Sequence, residues 1–198
     1  MIKSTPPTDH ETMALGVPTA LQSFWLQGVS VNDPFRDAVA RLTPDVWRVL
    51  RRCGVTDADV DDAQQIVFIQ MHKKWDKLGA LEPRALRAYV LCVASGTARE
   101  MGRGRSRRSR HEGALEREPA PAVDTPHDSL ALKERCAIVD RILSTMDDER
   151  REVFVLYELQ ELSGREIAAN LGIPAGTVAS RLRAAREHFE RMAEELSR

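Results

Sequence analysis

The stretch 162–186, LSGREIAANLGIPAGTVASRLRAAR, leaves few folds open to the chain. Ser163 and Glu166 stand at the S-x-x-E spacing of a capping box, which predicts a helix start. Ile167, Ala168 and Leu171 give that helix one apolar face. Gly172 supplies a left-handed stop, and Pro174 falls in the first turn of the next helix. There Val178, Leu182 and Ala185 recur at helical spacing, while Arg181, Arg183 and Arg186 lie largely outside that stripe. Two apolar-backed helices joined by a tight turn, with arginines on the second, suit a DNA-reading helix-turn-helix. A guanidinium can bind phosphates or the edge of a guanine in the major groove. The plainer alternative is a helical hairpin with a solvated charged face. The capping box, the glycine stop and the arginine placement together favour DNA binding.

The rest of the chain points the same way. Ala, Leu, Arg and Glu dominate and aromatics make up 5%, which predicts helix throughout. A length of 198 residues allows one large or two small domains. The net charge of −1 rules out a general polycation, so local basic clusters matter more than the sum. Cys53, Cys92 and Cys136 are scattered and odd in number, fitting reduced thiols better than a disulfide framework. They lack C-x-x-C spacing, and His72, His111 and His127 complete no ligand set, so neither metal nor cofactor is expected. No apolar run reaches bilayer-spanning length and the N-terminus lacks a signal-peptide pattern, which predicts a soluble cytoplasmic protein.

Residues 1–32 are weakly patterned and prolines interrupt them; they read as a mobile extension. From Asp33 a helix runs with Phe35, Val39 and Leu42 on one face, and Pro44 is expected to restart it. Thr56 with Asp59 resembles a capping box for the next helix, whose buried stripe is Val60, Ala63, Val67, Met71, Trp75 and Leu78. Ile66 and Ile69, beside carboxylates and amides, suggest a docking face for another protein. A third helix carries Leu86, Tyr89, Val90, Val93 and Thr97 inward. It runs into a tract with Arg99, Arg103, Arg105, Arg107, Arg108 and Arg110, an electrostatic footprint for phosphate. Prolines and acids over 111–128 make a flexible linker. Beyond it two more helices precede the helix-turn-helix. The chain therefore reads as all-α, with two small helical domains over 33–110 and 129–198. Two weak grips on one duplex multiply through effective concentration, which suits a protein touching two separated DNA elements.

These residues resemble the extracytoplasmic-function sigma factors of bacterial RNA polymerase. The likeness covers about Asp33 to Met192. The C-terminal run EVFVLYELQELSGREIAANLGIPAGTVASRLRAARE is similar to the family's region four, with G-T-V-x-S-R-L-x-x-A-R as its most specific part. DVDDAQQIVFIQMHKKWDKL is similar to region two. The resemblance implies a chain without catalytic residues that directs core polymerase to promoters and helps to open them. It implies core polymerase and promoter DNA as partners, an anti-sigma factor as a further one, and no membrane insertion. By position, Asp61, Asp62, Gln65, Phe68 and Ile69 would contact polymerase. Tyr89, Arg99, Arg103, Arg105, Arg107 and Arg108 would meet the minus-ten element, with the loop 77–84 holding an extruded base. Arg165, Thr177, Ser180, Arg181, Arg183 and Arg186 would meet the minus-thirty-five element.

The chain also departs from the family pattern. Ile66 replaces an acidic residue, and Cys92, Ser95 and Gly96 stand where Arg, Arg and Asn are usual. Ala179 replaces a common Lys or Arg, and Asp147 a proline. The turn LGALEPRAL lacks the customary Gly-Asp/Asn-Ser. Most of these positions face DNA, which implies altered promoter choice or weakened melting. Two alternatives stay open at this point. One is a sigma-like interaction protein that binds polymerase or an anti-sigma factor without promoter activity. The other is a polymerase-independent helix-turn-helix regulator.

Overall fold

The computed structural model describes residues 33–112 and 130–196, with side chains over 33–104 and 135–196. The N-terminal extension and most of the linker lie outside the described residues. Eight α-helices make up the described chain, and no strand occurs among the described residues.

Helix α1 spans Pro34–Arg52. Asp33 caps it, its carboxylate accepting from the Phe35 amide at 3.0 Å, and a proline opens it. The expected restart at Pro44 does not occur: the helix runs straight through. Pro44 cannot bond back to the Ala40 carbonyl, but both residues are exposed, so water can satisfy the orphaned group. The Thr43 carbonyl is taken by Gln64 Nε2 at 3.1 Å, which ties α1 to α2.

Helix α2 spans Val60–Lys73. Its expected Thr56–Asp59 cap takes another form. Asp59 makes no side-chain capping bond, and its carboxylate accepts the Thr56 hydroxyl at 2.7 Å. Val60, Ala63, Val67 and Met71 are buried as the spacing predicts, and Gln64 and Phe68 join them. A short α3, Trp75–Leu78, leads to the long α4, Pro83–Glu112, so the helix includes the basic tract and ends two residues beyond the expected domain edge. Helices α1, α2 and α4 pack on one another around Val46, Val49, Leu50, Val90 and Leu91, all fully buried.

The C-terminal half begins with α5, Leu130–Thr145. Asp147 caps the start of α6, Asp148–Phe154, by accepting from the Arg150 amide at 3.0 Å, so an aspartate N-cap stands where the family pattern has a proline. A π-helical turn, Val155–Leu159, continues α6 before the chain bends. Glu161 follows with a φ of 57°, letting the Leu162 amide return to the Leu156 carbonyl. Then come α7, Gly164–Leu171, and α8, Ala175–Leu196.

The two halves are not held apart. Helix α4 packs against α6, the π turn and α7, and one apolar core runs continuously from Val46 to Ile167 and Leu182. No helix among the described residues is long and apolar enough to cross a membrane.

Candidate nucleic-acid and partner interfaces

The helix-turn-helix is built as its sequence predicts. Ser163 Oγ accepts from the Glu166 amide at 3.2 Å, and Glu166 Oε2 accepts from the Ser163 amide at 2.7 Å, completing the capping box. Gly172 sits at φ 66°, the left-handed stop. Ile167, Val178, Leu182 and Ala185 are buried between the helices. That burial turns the other side of α8 to solvent. Ser180 and Arg183 are exposed, Thr177 is half-buried, and the Ser180 hydroxyl donates to the Thr177 carbonyl at 3.0 Å. The Arg183 side chain is 80% exposed, with Glu187 at 3.9 Å. Arg165 is exposed on α7. Two arginines are engaged elsewhere: Arg181 pairs with Glu149, and Arg186 Nε donates to Glu158 at 2.6 Å beside the Tyr157 ring.

On α2, Asp62, Gln65, Ile66 and Ile69 form one exposed stripe opposite the buried one. Ile66 is 41% and Ile69 52% exposed, and Asp61 is half-buried at the stripe's edge. Phe68 is the exception. It is 4% exposed and packs inward, so it supports this helix from below and cannot reach a partner's surface.

On α4, Tyr89 is half-buried, and Lys74 Nζ donates to its hydroxyl at 2.9 Å. Arg103 is exposed. Arg105, Arg107 and Arg108 lie on the helix backbone, but their side chains fall outside the described residues. Arg99 faces the other half of the molecule, where its Nη1 donates to Glu152 Oε2 at 2.9 Å.

Sequence reading missed the residues that join the halves. Arg84 donates to both carboxylate oxygens of Glu166, at 2.9 and 3.4 Å. Arg87 donates to Asp45 at 2.6 Å and to the backbone and side chain of Gln160 at 2.9 Å each. Between these arginines, Arg48 and Arg52 lies an open cavity of about 500 Å³. Deeper in the seam, Ser95 Oγ donates to Glu152 Oε1 at 2.9 Å. Glu152 is 1% exposed. Burial pushes its carboxyl above the usual range, against the opposing pull of Arg99 and Ser95. The one available signal was an acid next to an apolar run, Glu152 before Val153-Phe154-Val155-Leu156. Among the described residues, no cluster of His, Cys, Asp and Glu is arranged to hold a metal.

Comparison with known proteins agrees with this layout. Residues 38–108 match the family Sigma-70 region 2, and residues 136–189 match Sigma-70, region 4. The chain is 31% identical over 162 residues to the RNA polymerase sigma-E factor of Streptomyces avermitilis, spanning 82% of this chain and 84% of that one. It is 29% identical over 152 residues to the ECF RNA polymerase sigma-E factor of Escherichia coli K12, spanning 73% and 78%. In fold it is similar to the sigma factor RpoE of Bartonella quintana, solved with the anti-sigma factor NepR. The TM-score is 0.66 at 19% identity, over 81% of this chain and 96% of that one. It is also similar to CnrH, solved with the cytosolic domain of CnrY, at a TM-score of 0.56 and 23% identity, over 81% and 88%. With both sigma regions in order and a relative matched over most of its length, the chain belongs to the extracytoplasmic-function sigma factors, which direct RNA polymerase to promoters.

Proposed function

We propose that this chain divides its work between two solvent-facing stripes. The α2 stripe of Asp62, Gln65 and Ile69, with Asp61 at its edge, docks on core polymerase. The outer side of α8, with Thr177, Ser180 and Arg183, enters the major groove at the minus-thirty-five element, and Arg165 follows the backbone from α7. Tyr89 and the basic end of α4 engage the opened minus-ten strand, by stacking and by phosphate contact. The chain contributes no bond-making step: polymerase supplies the chemistry, and the protein acts in the cytoplasm where polymerase and DNA meet. One relative in fold, RpoE, was solved with an anti-sigma factor, which supports a partner of that kind here.

The observation that carries this reading is the outer side of α8. Val178, Leu182 and Ala185 are buried, so Ser180 and the almost bare Arg183 must project outward together. The test is run-off transcription on genomic fragments with purified chain and core polymerase. Discrete transcripts that vanish without the chain are expected; transcripts identical to those of core polymerase alone would overturn the reading.

A further inference from the structure

The cavity of about 500 Å³ lies where α1, α4 and the chain after the π turn meet, and four arginines line it. Arg48 and Arg52 stand one turn apart on α1, and Arg84 and Arg87 one turn apart at the start of α4. Like charges at this spacing repel, and the first turn of α4 holds Arg84 and no acid, against the helix dipole. The cavity's own acids offset only part of this cost: four cations face Asp45 and Glu161.

The acids do not exhaust the donors. Asp45 accepts one nitrogen from Arg48 and one from Arg87. Burial opposes its charge, but those two bonds hold its carboxyl below the usual range, so it stays an ionised strut between α1 and α4. Arg84 spends Nε and Nη2 on Glu166. Nη1 of Arg48 and Nη1 of Arg84 find no acceptor among the described residues. Arg52 is the extreme case. Asp140 stands off at 3.8 Å, and the Arg52 Nε is buried with no hydrogen-bond partner among the described residues. A guanidinium presents its N–H donors as a rigid fork that matches phosphate oxygens. Forks arriving from two helices suit two linked phosphates better than one, because each helix can take its own.

The rest of the lining includes an apolar part, Leu159 and Leu162. A bare inorganic anion would leave it uncovered, whereas a nucleoside would lie against it. The volume falls within the range of about 300–1,000 Å³ usual for small-molecule sites.

We propose that this cavity binds a nucleoside diphosphate, its two phosphates held by Arg48, Arg52 and Arg84 and its nucleoside lying along Leu159 and Leu162. The site needs neither polymerase nor promoter, so it stands apart from the promoter-directing role.

The test is isothermal titration calorimetry on the full chain, with ADP, GDP, AMP and inorganic pyrophosphate as probes. Salt is kept at about 150 mM, where the Debye length is about 8 Å and diffuse attraction is screened. ADP or GDP should bind saturably, one per chain. AMP lacks the second phosphate and pyrophosphate lacks the nucleoside, so each should bind at least about tenfold more weakly. Arg48→Gln and Arg52→Gln should each weaken the nucleoside diphosphate at least about tenfold, with helical content kept by circular dichroism. Arg191→Gln removes the same charge near the C-terminal end of α8 and should not. Absence of saturable binding by both nucleoside diphosphates overturns the proposal. So does AMP or pyrophosphate binding as tightly, a comparison made on wild type alone and independent of how any variant folds. Two folded cavity variants that bind like wild type place the ligand elsewhere and overturn it as well. If only a fluorescent single-stranded oligonucleotide binds, and both variants weaken it, the arginines serve nucleic-acid phosphate and the proposal fails.

Discussion

Arg84 Nε lies 2.9 Å from Glu166 Oε1, so the carboxylate that caps the first helix of the helix-turn-helix also receives a cation from the other half of the molecule. The two duties act together on its proton. The Arg84 hydrogen bond, then those from Ser163, hold the Glu166 carboxyl down at about 2 against an ordinary 4.5. A depressed carboxylate stabilises the fold fully above its unfolded value and loses that contribution as pH falls. The wild-type melting temperature should therefore drop between about pH 4.5 and pH 2 by more than that of Glu166→Gln. Thermal melts of both proteins across that range check this; parallel curves would show that the carboxylate is not coupled to folding.

The turn between α7 and α8 depends on backbone geometry more than on space. No atom lies within 4 Å of where a side chain on Gly172 would begin, yet its φ is 66°. Gly172→Ala should cost about 1–2 kcal/mol from backbone strain alone, measured by urea unfolding. Ile142→Ala, at a fully buried position of α5, should cost about 2–5 kcal/mol.

Ile69 tests the docking stripe without touching the core. It is 52% exposed and faces away from Val67 and Met71. Ile69→Glu should leave stability within about 0.5 kcal/mol. It should weaken association with core polymerase at least about tenfold, read by competition against another sigma factor. Phe68→Ala should do the reverse: as a core truncation it should lower stability by about 3–5 kcal/mol, with any loss of polymerase binding following the loss of fold.

Arg183 is the cleanest probe of the DNA-reading side, because nearly all of it faces solvent. Arg183→Ala should leave the fold intact and cost about 1–3 kcal/mol of promoter discrimination if the guanidinium reads a base edge. A phosphate contact would instead weaken all sequences alike and lower the salt slope by about one. Initiation from matched and mismatched minus-thirty-five elements, at two salt concentrations, separates the two. Ala179→Arg, on the same exposed side, should add affinity by restoring a cation.

Local chemistry made much of the protein legible before any coordinates. Ser163, Glu166 and Gly172 dictate a helix start and stop whatever surrounds them, since the orphaned amides and carbonyls they satisfy belong to the same turn. The stripes of α2 and α8 follow from 3.6-residue periodicity, which names the buried face and so the exposed one. Periodicity was not at fault in the exceptions: the family resemblance, not the spacing, put Phe68 at the docking face, where it borders the exposed stripe but packs inward, and Pro44 breaks a helix-restart rule that exposure to water excuses. What only the tertiary structure decided is the pairing of the halves. Ser95 with Glu152 and Arg84 with Glu166 stand 57 and 82 residues apart. No local pattern encodes which buried acid will meet which hydroxyl, because that choice is made by how two apolar faces pack and which polar groups the packing then traps together.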